Sequence, residues 1–306
     1  MNESVPKLSI GLAVRNGRGW VEKCIQSILA QDFEDFELII SDNASDARDV
    51  EALMAFSRAD RRINLSINPS NIGLHQNMNR VLRLSRGTYF RWISADDWLE
   101  PTCLSRCVQA LEARPDAIGV TTGVTLYDGN TGRWEDFPGE FPSSPEPSRR
   151  FERMLWFYHA GDAKYDPIYG VFRRSQLMET QLLRRSERAD WLFCAELALR
   201  GPIIHLAERL TNRTQKSVVG RDIAAFLRRL DPVRSEELRT SPSRMHKDLL
   251  DIALSANLST EQKRKCEAAL RRFWIKQIVW DGRVKVASAR HRLFGRTNQA
   301  RQTATR

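Results

Sequence analysis

The 306-residue chain contains no run of apolar residues near the roughly 18 to 20 needed to cross a bilayer, so a membrane-spanning helix is excluded. The opening MNESVPKLSIGLAV lacks the basic segment and small-residue cleavage site of a secretory signal, and a cytoplasmic location is expected. Cysteine is scarce. Cys24, Cys103, Cys107, Cys194 and Cys266 are odd in number and scattered among apolar neighbours, which argues against a disulfide framework and suits buried thiols in a reducing compartment. Cys103 and Cys107 share helical spacing but have no companion pair of metal-ligating residues, so no zinc site is expected there. The first 220 residues also lack a charge excess: they hold 28 Lys and Arg against 29 Asp and Glu, whereas residues 221–306 hold 20 against 9. The whole net charge of +10 therefore resides in the last part of the chain. That basic region is a candidate for peripheral contact with an anionic membrane surface or a lipid-linked phosphate, or it is a solvated helical face; no nucleic acid is expected as partner.

What is present is an alternation of short β-branched runs and amphipathic stretches, the pattern of a sheet with helices on both faces. LSIGLAV (8–14), FELIIS (36–41), INLSI (63–67) and TYFRWIS (88–94) read as strands. Between them lie helices: one carrying Trp20, Cys24, Ile25, Ile28 and Leu29 at helical spacing, one through Val50 to Phe56, and one over 74–84. A helix from Pro101 and a strand over 117–127 follow. The Pro- and Gly-rich segment 128–149 is expected to be a loop on the acceptor side. Beyond it come a helix near 149–159, a strand over 168–173, a helix over 189–200, a short strand over 203–207, and helices from Arg221 onward.

In an open α/β sheet, ligands bind outside the carboxyl ends of the strands. Here those ends carry Arg15-Asn16-Gly17, Asp42-Asn43, Asn68 to Gly73, and Asp96-Asp97, four polar turn-forming segments on one rim. Two adjacent carboxylates ending an apolar strand repel each other unless a cation neutralises them. Mg²⁺ or Mn²⁺ would do so, since such ions take one or two carboxylates and fill their other positions with water and phosphate oxygens. Asp96-Asp97 therefore suits a diphosphate ligand. An Asp capping a helix before WLEP remains the alternative for that pair alone.

The ordered set SIGLAVRNG, SILAQDFEDFELIISDNAS, NIGL and NMNRVLRLSRGTYFRWISADDW resembles the family 2 glycosyltransferases, which have the nucleotide-sugar-binding fold called GT-A. The likeness covers residues 7–127, and PIYGVFRRSQL with ADWLFCAELALRGP resembles the acceptor half of a bacterial subgroup, to about residue 213. The resemblance implies an α/β, Rossmann-like GT-A domain over 1–220 with a mixed, mainly parallel sheet. Residues 1–127 would form its donor half and 128–220 its acceptor half, followed by a basic helical appendage over 221–306. It implies an inverting transfer of a sugar from a nucleotide-diphosphate donor to a hydroxyl of a glycan or lipid-linked acceptor.

Residue by residue, the resemblance places Ala13, Arg15 and Asn16 at the nucleoside, and Asp42 and Asn43 at base and ribose, with an amide where the family has a second acid. It places Gly73 and Asn79 in the loop and helix closing over the nucleotide, Asp96 near the ribose, and Asp97 as direct ligand of Mg²⁺ or Mn²⁺. Ser94 stands where an acid is often found. Asp190, opening a helix, is the expected base for the acceptor hydroxyl, with Glu187 as fallback. Where relatives carry a histidine near the diphosphate, this chain has Arg213 and Lys216. His75 and His159 are expected to be structural, Trp156 buried, and Tyr165 or Tyr169 turned toward the acceptor. Two alternatives remain: a non-catalytic nucleotide- or polyanion-binding module, and a nucleotidyltransferase, for which RNGRG at 15–19 lacks the glycine spacing.

Overall fold

A computed structural model describes residues 5–128, 131–133, 141–157, 167–214 and 223–277. Its first half runs β1 (Leu8–Val14), α1 (Val21–Leu29), β2 (Phe36–Asp42), α2 (Ala47–Ala59), β3 (Ile63–Ile67), α3 (Leu74–Leu84), β4 (Tyr89–Ile93), β5 (Trp98–Leu99) and α4 (Cys103–Ala113). The second half adds β6 (Gly119–Asp128), β7 (Thr131–Arg133), α5 (Pro147–Phe157), β8 (Val171–Arg173), α6 (Arg174–Met178), α7 (Ala189–Arg200) and β9 (Ile203–Thr214). Then come α8 (Ile223–Leu230), α9 (Pro242–Ser255) and α10 (260–277).

The described strands form one mixed sheet in the order β3-β2-β1-β4-β8-β6-β9-β5, with β7 on β6. The left half is parallel: β1 pairs with both β2 and β4, and β2 with β3. Beyond β4 the direction alternates until β6 and β9 pair in parallel over their length. Helices cover both faces, so β1, β2 and β4 are buried on both sides and read as continuous apolar runs. Alternate residues serve opposite layers. Leu38 and Ile40 pack under α1 and α2, whereas Ile39 joins the core with α3, α5 and α7. Gly11 makes room on that second face, because a Cβ there would lie 2.5 Å from Phe90 Cζ and 2.7 Å from Val81 Cγ2.

Several expectations change. The strand expected over 203–207 runs on to Thr214, because β6 and then β5 offer it a full ladder. The strand expected over 168–173 opens instead as a 3₁₀ turn, Pro167–Tyr169, before β8. Trp20 does not belong to the buried face of α1; it precedes the helix and is half exposed.

The described helices α9 and α10, beyond residue 220, are not a separate appendage in packing terms. Met245, Leu249 and Ile252 of α9 and Cys266, Leu270 and Phe273 of α10 belong to the same buried cluster as Trp92, Phe172 and Trp191. The Phe273 ring lies 5.1 Å from Trp156 and 5.8 Å from Trp191, edge-on to both. Trp156 is partly buried at the rim of that cluster.

Candidate active site

The carboxyl ends of β1, β2 and β4 open onto a crevice of about 560 Å³. It is lined by Ala13 at the end of β1, Arg15 and Asn16 just after it, and Ser94 to Asp96 after β4. Asn43, Asn71 and Asn77 form one side, Trp20 and Tyr169 add rings, and Ala225, Arg228 and Arg229 come from α8.

The loops after β1 and β2 are tied together. Asn16 adopts a left-handed backbone, φ 50°, tolerated because its side chain is held: Oδ1 accepts from Asp46 N at 3.0 Å. Its own N–H donates to Ser45 Oγ at 2.8 Å. Asn43 is a hub. Its Nδ2 donates to Asn71 Oδ1 at 2.8 Å and its Oδ1 accepts from Ile72 N at 2.9 Å, which fixes the loop before α3. Asn77 completes the network: Nδ2 donates to Ser41 O at 2.7 Å, while Oδ1 accepts from Ser41 Oγ and Asn68 Nδ2. Asn43 and Asn77 thus use both donor and acceptor, Asn68 donates and Asn71 accepts, and together they hold the end of β2, the loop 68–73 and α3 in one arrangement. Asp42 is fully buried; Oδ2 accepts from Ser45 N at 3.0 Å, and no described residue donates to Oδ1.

The acidic pair is divided by its surroundings. Asp96 lines the crevice; Ser94 Oγ donates to its Oδ1, and Thr214 Oγ1 donates to its backbone carbonyl at 2.7 Å. Asp97 is buried behind it, with Arg213 Nε 3.4 Å from Oδ2 and Thr214 N 3.3 Å from Oδ1. Burial pushes the Asp97 carboxyl up to about 6, with Asp96 adding to the rise and Arg213 opposing it. The Arg213 guanidinium also lies over the Tyr169 ring, 4.5 Å from its centroid. Arg213 is a strand residue of β9, not a loop residue, and its position follows from the extension of that strand.

Other expected residues fall elsewhere. Asn79 is absent from the crevice lining: its amide pairs reciprocally with the backbone of Leu183, at 2.9 and 3.0 Å. Asn77, two positions earlier, faces the crevice instead. Gly73 caps α3 with φ 84°, and a Cβ there would stand 2.4 Å from the Leu230 carbonyl oxygen. It sets the approach of α8 and does not line the crevice. Asp190 is exposed in the first turn of α7, and its Oδ1 accepts from Trp191 N at 2.8 Å. It is outside the crevice lining, although the turn containing Tyr169 packs between β4 and α7. Glu187 accepts from Thr240 N at 3.3 Å, a contact within the chain's own turns. Lys216, His159 and Tyr165 lie outside the described residues, as do residues 129–130 and 134–140 of the expected loop 128–149; within that span Thr131–Arg133 forms β7 and α5 begins at Pro147.

Sequence reasoning missed Trp20, Asn77, Arg228 and Arg229. The first two had a local signal, a tryptophan before the helix proper and an asparagine on the apolar side of α3. The arginines had none, since their place depends on how α8 folds back.

The sequence pattern of glycosyl transferase family 2 matches residues 9–184. The chain belongs to that family. It is 29% identical over 193 residues to the uncharacterized glycosyltransferase EpsJ of Bacillus subtilis, a match covering 60% of this chain and 54% of that protein. It is 26% identical over 179 residues to the glycosyltransferase GlyA of Streptococcus pneumoniae, covering 58% of this chain and 22% of that one. The chain thus spans about half, or less, of the length of these curated relatives. In fold it resembles TarS of S. aureus solved with UDP-GlcNAc, with a TM-score of 0.64 at 15% identity, over 87% of this chain and 72% of that chain. It also resembles a mannosyltransferase of Pyrobaculum calidifontis in complex with GDP-Man and Mn²⁺, with a TM-score of 0.51 at 14% identity, over 95% and 83%. The family fold is therefore the mixed α/β GT-A fold. Among the described residues no helix is long and apolar enough to cross a membrane.

Proposed function

We propose that this family 2 chain transfers a sugar, with inversion, from a nucleoside-diphosphate sugar to a hydroxyl acceptor. The observation that carries the reading is the crevice itself: it lies at the strand ends, and Asn43, Asn71 and Asn77 hold its walls while Asp96 and three arginines line it. Fixed polar groups of this kind need little reorganisation as charge develops on a leaving diphosphate.

Among the described residues no three metal-ligating side chains converge, but Mg²⁺ or Mn²⁺ beside phosphates needs only one or two carboxylates. The residues fit such an ion: Asp96 presents a crevice-facing carboxylate, and Asp97 stands next to it, already balanced by Arg213. A bound ion would supply further positive charge to the departing diphosphate. Ala13, Arg15 and Asn16 would seat the nucleoside with Asn43, while Asp42 supports the loop beneath. Asp190, at the positive end of α7, would take the acceptor proton as its oxygen attacks.

The acceptor class proposed is a glycan or a lipid-linked sugar. Ile223, Phe226 and Val233 are exposed on and just beyond α8, in the basic part of the chain, which supports peripheral contact with an anionic lipid surface. Co-sedimentation with vesicles containing anionic lipid tests that contact.

The experiment for the reaction is a panel of UDP-, GDP- and dTDP-sugars with and without Mn²⁺, read as nucleotide release and as a thermal shift with the matching diphosphates. Binding with no turnover on any glycan or lipid-linked acceptor would favour the non-catalytic module; absence of binding would refute the donor site. Asp96→Asn should weaken diphosphate binding and lose the metal response.

A further inference from the structure

Among the described residues, the charged side chains lining the crevice are Arg15, Asp96, Arg228 and Arg229, so cations there outnumber carboxylates three to one. Two of those three cations come from α8, which lies beyond the family-matched residues 9–184. The helix is built to hold them there. Ala225, Arg228 and Arg229 are spaced i, i+3, i+4 and share one face, whereas Leu227 and Leu230 are buried and pack on Leu74 of α3. The contact is close, since residue 73 tolerates no Cβ against the Leu230 carbonyl. Asp231 ends the helix: Oδ1 accepts from Val233 N and Arg234 N, both at 3.0 Å, and Oδ2 faces Arg185 at 3.5 Å.

Resting on the reading of the crevice as a nucleoside-diphosphate-sugar site, we propose that Arg228 and Arg229 of α8 bind the phosphate groups of the donor diphosphate. The chain then supplies positive charge for the leaving group from α8. Guanidinium groups suit this task because their planar fork matches phosphate oxygens and stays charged at every working pH. A phosphate carried by the acceptor has the same chemistry, and the test separates the two sources.

The test is calorimetric titration of the full-length chain at low salt with UDP, GDP and dTDP and with the corresponding monophosphates. For the nucleotide that binds best, the parent chain should favour diphosphate over monophosphate by about tenfold or more. In the double variant Arg228→Gln/Arg229→Gln that preference should fall to about threefold or less, because diphosphate affinity falls more than monophosphate affinity. The variant Arg228→Lys/Arg229→Lys should recover part of it. Gly73→Ala removes no charge but crowds α8, and should also lower the preference. An undiminished preference in the Gln variant, with its unfolding temperature unchanged, overturns the proposal. Farnesyl diphosphate is titrated as the acceptor-side probe, and loss of its binding in the Gln variant with the nucleotide preference intact would move the phosphate to the acceptor and overturn the donor assignment. Failure of the parent chain to bind any nucleotide would instead refute the donor site itself.

Discussion

Asp97 Oδ2 and Arg213 Nε face each other at 3.4 Å behind the crevice, and the same guanidinium covers the Tyr169 ring. One arginine thus joins the end of β4 to the 3₁₀ turn before β8. The Asp97 side chain is only 5% exposed, so removing its partner leaves a buried carboxylate beside Asp96 with only the weaker pull of Arg91 and the Thr214 N–H to offset its charge. Arg213→Met should lower stability by about 3 kcal/mol at neutral pH, and Arg213→Lys by less, since it keeps the charge without the stacked fork. Urea denaturation with an unchanged midpoint for the Met variant would contradict the coupling.

The buried amide network gives a sharper test than an alanine. Asn77→Asp replaces the donor facing Ser41 O with a second oxygen while the other oxygen still accepts from Asn68. The substitution should cost about 2 to 3 kcal/mol and loosen the loop 68–73. Hydrogen exchange at Ile72 and Gly73, whose N–H groups donate to Asn43 and Asn71, would report the loosening.

His75 carries a pH signature. Burial pulls its imidazole down to about 4, against a smaller opposing pull from Asp231. The folded chain therefore holds His75 neutral, while the unfolded chain takes up a proton near the ordinary histidine value. Stability is fully present above about pH 6.5 and is lost as pH falls toward 4, by about 2 kcal/mol at pH 5. His75→Phe should flatten that part of the profile; a slope unchanged in the variant would assign it to other groups.

Asp190→Asn should lower kcat by about a hundredfold or more while leaving nucleotide binding intact, because the residue stands outside the lining of the crevice proposed for the donor. Full turnover in that variant would transfer the role of base elsewhere, and Glu187 would be next to examine.

The first 127 residues were the more legible part. β1, β3 and α3 fall at the bounds their periodicity predicts, because each is decided by local alternation and a turn at either end. α7 was equally plain, an apolar helix buried on nearly all sides. β5 and the far half of β9 were not, since two residues and a polar stretch become strands only by pairing with each other and with β6. The site divides the same way. Asn43 and Asp96 are visible at strand ends, whereas the separate fates of Asp96 and Asp97 depend on Arg213, which is 116 positions from Asp97. The choice of Asn77 over Asn79 is a matter of helix phase against Leu183, another long-range contact.

The crevice is also assembled out of order in time. One part of its lining is contributed by residues near 13 and 94, which leave the ribosome early, and its basic part by residues near 228, which leave late. Chains fold largely from the amino end during synthesis. A nascent chain arrested before α8 would have the strand-end rim and the Asp96 carboxylate while still lacking Arg228 and Arg229, so the crevice reaches its charge balance only after α8 has emerged.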